Sequence, residues 1–412
     1  MRILFTTVAL PGHFFPLVPL AWSLRSLGHE VLVAAAENFV PAVLRSGLPV
    51  ATCGPAADFV TLAAEERDAA APAAGAADAG GIPQGAAAPD ADGMPQGAAA
   101  SDAGDIPQGE EGARGHGRRF GRLAASGLPG MRALVAAWRP DLVVSERAEF
   151  AGPVAAAAHG VPLVEYQWGV AALDAYRAGA AEALRAELTA AGLAALPEPD
   201  EVLNPWPPSL RLPHAAGHQS LRYIPYNGDA HVPAWAFEQG RRPRVCVTMG
   251  TLIPRLGPRG VRELVLPMLE RLAELDVELL VAVDDAVVAG WPPLPPAVLA
   301  AGRMPLAHVL PGCAVAINHG GQGSNLTALA TGCPQLVLPQ FDDQFDNADA
   351  VVRAGAGLSL APEELTPEAV ADRCRTLLSD PGYGRAAAAV AAEMAALPDP
   401  QEIADTLHKL AG

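Results

Sequence analysis

The chain of 412 residues is poor in aromatic and in basic residues. Aromatics make up 5%, and 28 Lys and Arg stand against 45 Asp and Glu, which gives a net charge of −17. The lack of a dense basic block argues against nucleic acid and against an anionic membrane surface as partners. A chain of this length is expected to form two domains, each with its own core.

Cysteine and long apolar runs are also scarce. The five cysteines are Cys53, Cys246, Cys313, Cys333 and Cys374. Their odd number and wide spacing argue against a disulfide or zinc framework and are typical of a cytoplasmic protein. No apolar run reaches 18 residues, and the opening "MRILFTTVALPGH" is too short before its proline for a signal peptide. We expect this opening to be a buried strand.

Strand-like and helix-like segments alternate in two series, which predicts two α/β domains with doubly wound, Rossmann-like parallel sheets. The first series has "RILFTTV", "HEVLVAAA", "LPVATCG", "DLVVSE" and "VPLVEY". The second begins at "RPRVCVTMGT" and continues through "VELLVAV", "AVAIN", "QLVLP" and "GLSL". We predict an N-terminal domain over residues 1–215, a linker over 216–240 and a C-terminal domain over 241–412, whose last helix could pack on either domain. The proline-rich stretch 197–243 is predicted to be a connector without a core.

A 12-residue repeat interrupts the first series. Near-copies start at Asp78, Asp90 and Asp102 with "DAGGIPQGAAAP", "DADGMPQGAAAS" and "DAGDIPQG". Each copy has too little apolar bulk to offset the entropy lost on ordering, and none supplies the strand or helix that a solenoid needs. The composition predicts a disordered or weakly ordered insertion over about residues 64–117.

The stretch "AVAINHGGQGSNLTALATGCPQLVLPQFDDQFDNA" carries the main chemical signal. A strand ends at Asn318, His319 and a glycine-rich turn follow, and a helix begins near Ser324. In a parallel sheet this edge binds ligands, and the free amides and dipole of a helix N-terminus attract phosphate. The pattern therefore predicts a phosphate site.

Two known phosphate motifs can be compared with this turn. No GxxxxGK[ST] sequence is present, which argues against a P-loop. The dinucleotide fingerprint is nearly met by Gly321 and Gly323, but Leu326 takes its third position. An acid follows about twenty residues further on, as in that fingerprint, so a dinucleotide-dependent oxidoreductase stays an alternative. The next strand ends just before Asp343 and Gln344, an acid and an amide that suit a ring of hydroxyls. Phosphate beside a polyol indicates a sugar nucleotide.

Together with "RYIPYNG", "RPRVCVTMGT" and "PGHFFPLVPLAWSLRSLGHEV", this stretch resembles GT-B-fold glycosyltransferases that attach sugars to natural products. The resemblance is closest to actinobacterial enzymes that use TDP-deoxysugars on polyketide antibiotics. It implies an inverting transfer to a hydrophobic small-molecule acceptor, with the TDP-sugar as co-substrate and no cofactor or metal. A sugar-nucleotide-binding protein without turnover is a further alternative, and a homodimer and a helper protein stay open as partners.

The resemblance also implies a donor site in the C-terminal domain. Its predicted residues are Gly250, Thr251, Met304, Pro305, His319, Gly320, Gly321, Gly323, Ser324, Asp343 and Gln344. The glycine turn would hold the diphosphate with His319, while Met304 and Pro305 would border the base. Asn318 stands where many relatives have a second histidine, and Ser324 stands where threonine is usual.

The resemblance places the catalytic base in the other domain. His13, after "TTVALPG", would take the proton of the acceptor hydroxyl, and Glu146, at the end of "LVVSE", would steady it where many relatives carry aspartate. Phe14, Phe15 and Trp168 lie beside these elements and are predicted acceptor contacts, with burial in the core as the alternative.

Overall fold

A computed structural model describes residues 1–57, 59–63, 109–229, 231–238, 240–251 and 258–412. Its strands are β1 (Arg2–Thr6), β2 (Glu30–Ala36), β3 (Val50–Gly54), β4 (Leu142–Glu146), β5 (Leu163–Tyr166), β6 (Glu201–Asn204), β7 (Gln219–Ser220), β8 (Arg244–Thr248), β9 (Glu278–Ala282), β10 (Val298–Gly302), β11 (Val315–Asn318), β12 (Gln335–Val337) and β13 (Gly357–Ser359). They form one sheet in the order β3-β2-β1-β4-β5-β6-β7 and another in the order β10-β9-β8-β11-β12-β13. The paired strands run parallel, as the sequence predicts.

Helices cover these sheets. They are α1 (Pro11–Phe14), α2 (Val18–Ser26), α3 (Val40–Arg45), α4 (Gly109–Trp138), α5 (Ala151–His159), α6 (Asp174–Ala183), α7 (Arg185–Ala190), α8 (Pro258–Leu272), α9 (Asp285–Ala289), α10 (Leu306–Val309), α11 (Gln322–Ala330), α12 (Asp343–Arg353), α13 (Pro367–Ser379), α14 (Pro381–Ala395) and α15 (Pro400–Leu410). Residues 59–63 are also helical. We call the part built on the first sheet the N-terminal half and the part built on the second sheet the C-terminal half.

The first sheet is buried on both faces. Along β1, Ile3 and Phe5 belong to one core cluster with residues of α2, while Leu4 belongs to another with residues of α4. Successive side chains of a strand point to opposite faces, so a strand covered on both sides needs apolar residues throughout. This explains why the strands of the first series are continuous apolar runs.

The proline-rich stretch differs from its prediction as a connector without a core. β6 and β7 lie within residues 197–243 and extend the first sheet, and β7 falls inside the predicted linker. Trp206 is fully buried in a cluster with Leu326 of the C-terminal half. These strands have two to four residues at the edge of the sheet, which is too short for an alternating pattern to show in the sequence. The domain boundaries stay a prediction.

The end of the predicted insertion is also different. Residues 64–108, which include the repeat, lie outside the described residues, but residues 109–117 belong to α4 and are helical. Glycine-rich composition indicated disorder there, whereas the glycines let two helices approach closely. A Cβ atom at Gly117 would overlap the backbone of Tyr176 in α6, and one at Gly179 would overlap the backbone of Arg114.

The last helix packs on the N-terminal half, which settles the alternative left open by the sequence. Ile403, Ala404 and Leu407 of α15 share a core cluster with Ala21 and Leu24 of α2. Asp399 and Glu402 form a capping box at the start of α15, which satisfies amides that would otherwise lack partners. The chain therefore begins and ends its described course on the same half.

Each sheet has one point where the chain reverses its direction of winding. In the first sheet this point lies between β1 and β4, and in the second between β8 and β11. Ligands of open α/β sheets bind outside the carboxyl ends of the strands at such a point. The loops that follow these four strands are therefore the first place to look for a site.

Candidate active site

His13 lies directly after β1, in the short helix α1. Pro11 opens this helix, and its fixed φ suits the first helical position. The His13 side chain is 16% exposed, and its ring meets the edge of Trp168 with 5.1 Å between ring centroids. The imidazole is thus held by packing and still reaches solvent.

Glu146, the last residue of β4, is buried beside it. Its Oε2 atom lies 2.9 Å from His13 Nδ1 and accepts hydrogen bonds from Trp168 Nε1 at 3.0 Å and the Ala148 amide at 2.8 Å. The Val8 amide donates to Oε1 at 3.3 Å. A carboxylate only accepts, so His13 Nδ1 carries the proton in this pair, and in the neutral ring Nε2 then keeps its lone pair. This arrangement is that of a general base with an orienting acid.

The predicted acceptor contacts divide into three cases. Trp168 lies beside His13, as described above, and is 9% exposed. Phe15 packs instead against Tyr226, with 5.2 Å between ring centroids, in the segment between the two sheets. Phe14 is fully buried and meets Phe39 edge to face in the core, so its predicted role in acceptor binding is wrong. Consecutive helical residues point about 100° apart, and α1 turns Phe14 inward when His13 faces outward.

On the second sheet, His319 follows β11 and is 7% exposed. Its ring lies against Gly250, the second residue after β8, where a Cβ atom would overlap the imidazole. Gly250 also has a φ of +67°, a conformation that favours glycine. The structure thus brings together the predicted residues Gly250 and His319 at the reversal point of the sheet, with Thr251 exposed beside them.

His319 is neutral at pH 7 in the absence of an anion. Burial lowers the pKa of its imidazole to about 4, and its Nδ1 atom has no hydrogen-bond partner among the described residues. A neutral imidazole offers one N–H donor and one acceptor. A phosphate oxygen bound to the ring would favour its protonated form.

Helix α11 begins at Gln322, and no side chain caps its N-terminus in the described structure. The first amides of a helix have no partner within the helix, so those near Gly323 and Ser324 are available to an anion. A Cβ atom at Gly323 would meet nothing within 4 Å, which leaves this turn open to a ligand.

Asparagine side chains fix the backbone of the glycine turn by hydrogen bonds. The Gly320 amide donates to Asn318 Oδ1 at 2.8 Å, while Asn325 and Asn347 donate to the Gly320 carbonyl at 2.9 and 3.0 Å. Asn318 is fully buried and also binds Gln335. Asn318, which stands in the place of a second histidine, thus fixes the glycine turn from within the core.

Asp343 and Gln344 open helix α12, after β12. Burial, and then the neighbouring Asp342 carboxylate, raise the pKa of Asp343 to about 7. Asn347 donates to Asp343 Oδ2 at 2.7 Å. Gln344 is 4% exposed, and its side-chain oxygen accepts from the Gln340 amide at 2.9 Å. These residues lie on the same sheet edge as His319, as predicted, and their binding of a sugar stays a prediction.

The two halves meet at this edge. The Gly169 amide donates to Gln322 Oε1 at 2.7 Å, and Trp206 Nε1 donates to the same oxygen at 3.1 Å. The Val170 amide donates to Asn347 Oδ1 at 3.0 Å. Trp168, which binds Glu146, is therefore one residue away from a direct contact with the start of α11.

A further contact joins Asp342 to the N-terminal half. Tyr176 Oη donates to Asp342 Oδ2 at 2.5 Å, and His116 Nδ1 binds the same oxygen. Burial, and then the Asp342 carboxylate, raise the pKa of Tyr176 well above its usual range, so its hydroxyl keeps the proton that it donates. Asp342 has φ +52° and ψ −131°, a backbone conformation that costs a non-glycine residue about 1–3 kcal/mol.

Sequence reasoning missed several residues of this edge: Gly169, Gln322, Asn347, His116, Tyr176 and Asp342. Two of them had a local signal. Gln322 stands inside the glycine-rich turn, and Asn347 lies one helical turn after Asp343, where an i,i+4 contact is expected. His116 fell within the predicted insertion, and Tyr176 stands in an alanine-rich helix far along the chain, so nothing nearby marked either.

Met304 and Pro305 lie at the edge of the same half. Met304 is 9% exposed and packs in a cluster with Ala282 and Val309. Pro305 precedes α10, whose Ala307 amide binds Asn227 at 2.8 Å. Their place beside a base stays a prediction.

Among the described residues no group of three His, Cys, Asp or Glu side chains could hold a metal ion. Within the same residues no helix is both long and apolar enough to cross a bilayer.

Two facing parallel sheets, with a histidine–carboxylate pair on one and a glycine-rich helix start on the other, define a glycosyltransferase of the GT-B fold. The chain belongs to the erythromycin biosynthesis protein CIII-like family, whose N-terminal domain matches residues 22–250 and whose C-terminal domain matches residues 266–410. This membership confirms the resemblance seen in the sequence and sets aside the oxidoreductase alternative.

Relatives match along almost the whole chain. An L-demethylnoviosyl transferase of Streptomyces niveus is 35% identical over 408 residues, covering 99% of this chain and 97% of that protein. The glycosyltransferase SsfS6 of Streptomyces sp. SF2575, solved with thymidine diphosphate, is 33% identical with a TM-score of 0.77 and 99% of each chain covered. The spinosyn rhamnosyltransferase SpnG, solved with spinosyn aglycone, is 29% identical with a TM-score of 0.81, over 99% of this chain and 100% of that one.

Proposed function

We propose that this glycosyltransferase moves a deoxysugar from TDP to a hydrophobic aglycone of the polyketide type, with inversion at the anomeric carbon. One observation carries the proposal. The His13–Glu146 pair of the N-terminal half is connected through Trp168 and Gly169 to the start of α11 in the C-terminal half. A base for the acceptor and an anion site for the leaving group therefore face the same space.

The acceptor step uses His13 as general base. Its Nε2 atom takes the proton of an acceptor hydroxyl as the hydroxyl oxygen attacks the anomeric carbon of the sugar. Glu146, bound to Nδ1 at 2.9 Å, stabilises the imidazolium that forms. The bond from the anomeric carbon to the diphosphate oxygen breaks on the opposite face, which gives inversion.

The donor half stabilises the departing diphosphate. The free amides at the start of α11 and the His319 ring, which lies against Gly250 and Gly321, supply hydrogen bonds to the negative charge that develops. Gly250 and Thr251 add contacts after β8, Met304 and Pro305 border the thymine, and Asp343 and Gln344 bind the sugar hydroxyls. We propose that these groups suffice without a metal ion. The complex of SsfS6 with thymidine diphosphate supports TDP as the nucleotide.

The acceptor side lies at the carboxyl ends of the first sheet. Buried apolar residues lie there, among them Val8, Ala9, Phe120 and Phe150. Phe120 also lies 5.7 Å from the His13 ring, measured between centroids. An apolar acceptor bound in this region would meet the base, and the complex of SpnG with spinosyn aglycone supports a hydrophobic aglycone.

We propose that acceptor binding belongs to residues 1–215 and donor binding to residues 241–412. The five free cysteines favour the cytoplasm as the place of reaction. A homodimer and a helper protein stay open as partners.

Calorimetry with TDP, UDP and NAD⁺, followed by measurement of TDP release from TDP-L-rhamnose with and without polyketide aglycones, tests the proposal. We expect TDP to bind most tightly and an aglycone to accelerate TDP release. Tighter binding of NAD⁺ than of TDP would overturn the assignment of the donor. Binding of TDP without any transfer or donor hydrolysis would identify a sugar-nucleotide-binding protein without turnover.

A further inference from the structure

We propose that His116 and Tyr176, both of the N-terminal half, are positioning residues for the sugar part of the donor site. They bind the Asp342 carboxylate and thereby hold the backbone turn that presents Asp343 and Gln344. The inference rests on the proposed function, in which Asp343 and Gln344 bind sugar hydroxyls. It makes the donor site dependent on both halves of the molecule.

The backbone conformation at Asp342 has to be stabilised by contacts from outside its own helix. Its φ of +52° lies in the region that favours glycine, and Asp343 follows as the first residue of α12. Asp342 stands at the N-cap position, where Asp often accepts from amides of its own helix. Here its side chain makes no such bond and binds Tyr176 and His116 of the other half instead.

The contacts that His116 and Tyr176 make with Asp342 are specific and buried. His116 Nδ1 and Tyr176 Oη both bind Asp342 Oδ2, and the side chains of His116 and Asp342 are 6% and 5% exposed. Phe341 packs on the His116 ring with 6.0 Å between centroids. Two donors on one carboxylate oxygen, shielded from water, fix the direction of the side chain and hence of its backbone.

The consequence falls on Asp343. The Asp343 carboxylate lies so close to Gly169 that a Cβ atom on Gly169 would be 2.8 Å from Asp343 Oδ2. Asn347 of α12 donates a hydrogen bond to the same oxygen. If the hold on Asp342 is lost, the turn relaxes towards negative φ and α12 starts with a different orientation of Asp343. The nucleotide contacts lie on α11 and after β8, so the change should affect the sugar and spare TDP.

The test measures the contribution of the sugar to binding. Calorimetry gives the Kd of TDP and of three probes, TDP-L-rhamnose, TDP-D-glucose and TDP-D-fucose, and the best probe is kept. The ratio of the TDP Kd to the probe Kd is then compared among the wild type, Tyr176→Phe, His116→Ala and His116→Asn. Tyr166→Phe, at a buried tyrosine of β5, is the matched control.

We expect Tyr176→Phe to lower this ratio by about 5- to 10-fold, which is less than the full loss of one hydrogen bond to a charged group because His116 still binds Asp342, and to leave the TDP Kd within about twofold. The phenylalanine keeps the ring that stacks on Phe120 at 5.9 Å. His116→Ala should have a similar effect. His116→Asn should recover part of it, because the asparagine amide can donate near the position of Nδ1.

Asp342→Gly separates an action through Asp342 from a direct contact with the sugar. Glycine adopts the observed φ without strain but lacks the carboxylate. We expect Tyr176→Phe to have no further effect in this background. Additive losses would show that Tyr176 acts without Asp342 and would overturn the inference.

The other outcomes are also decisive. An unchanged ratio in Tyr176→Phe, or equal weakening of TDP and probe with a lower melting temperature, would overturn the positioning role. A wild-type protein that binds TDP but gains nothing from any of the three sugars would overturn it as well. Absence of TDP binding in the wild type would instead overturn the proposed function.

Discussion

The contributions of His13 as the base and of Glu146 as the orienting acid to the rate can be measured separately. A positioned general base contributes about 10²–10⁴-fold in rate, so His13→Ala should lower kcat by that factor. The TDP Kd should stay near that of the wild type, because His13 lies on the first sheet and the diphosphate contacts lie on the second. Acceptor turnover and TDP calorimetry on the same preparation measure both quantities.

Glu146→Gln should have a smaller effect, and the contacts of Glu146 set its size. Its Oε2 atom accepts three donors, so the glutamine oxygen must take this place and still accept from His13 Nδ1. A bond to a charged group is worth about 1.5–3 kcal/mol and a neutral one about 0.5–1.5 kcal/mol. The difference of about 1–1.5 kcal/mol corresponds to a loss of about 5- to 13-fold in kcat.

The same substitution should also lower stability, because the glutamine NH₂ would then face the Val8 amide, which now donates to Oε1 at 3.3 Å. Glu149→Gln is the matched control. Glu149 is a buried carboxylate that accepts from the Ala151 and Gly152 amides at the start of α5, so this variant should keep its turnover. Normal turnover of His13→Ala would refute the assignment of the base, and loss of TDP binding in that variant would refute the separation of the two sites.

Three further predictions concern the donor site and the insertion. His319→Ala should weaken TDP binding about 10- to 100-fold in calorimetry, since a bond to a charged phosphate is lost; unchanged affinity would place the diphosphate elsewhere. Because the pKa of Asp343 is raised from 3.8 to about 7, its folded form disfavours the charge, and stability is lost as pH rises from about 4 through 7. Asp343→Asn should therefore melt like the wild type near about pH 4 and be about 1–3 kcal/mol more stable near about pH 8, and equal stability at both pH values would contradict the buried charge. Deletion of residues 78–108 should leave the melting temperature within a few degrees, because their composition cannot build a core, and a large loss would show that the repeat packs on the protein.

Local patterns in the sequence determined most of the strands and the donor motif. Apolar runs of five residues predicted most strands because a strand buried on both faces needs such a run whatever surrounds it. The donor motif could be read because His319, the glycine turn and Asp343 stand within 35 residues, on consecutive strand ends that a parallel sheet must place side by side. The strands β6, β7 and β10 were not predicted. β6 and β7 stand in a proline-rich stretch and have four and two residues, and β10 is rich in alanine and glycine, which are uncommon in strands.

Tertiary structure decided the rest, because contacts between distant segments leave no local pattern. The sequence placed His13 and Phe14 side by side, and only the packing of α1 sends one towards Glu146 and the other into the core. The glycines of α4 indicated disorder by composition, and the close approach of α6 turns them into a helix contact. Asp342 meets a histidine 226 residues away and a tyrosine 166 residues away. Such contacts exist only once the two sheets face each other, since only then are these groups shielded from water together.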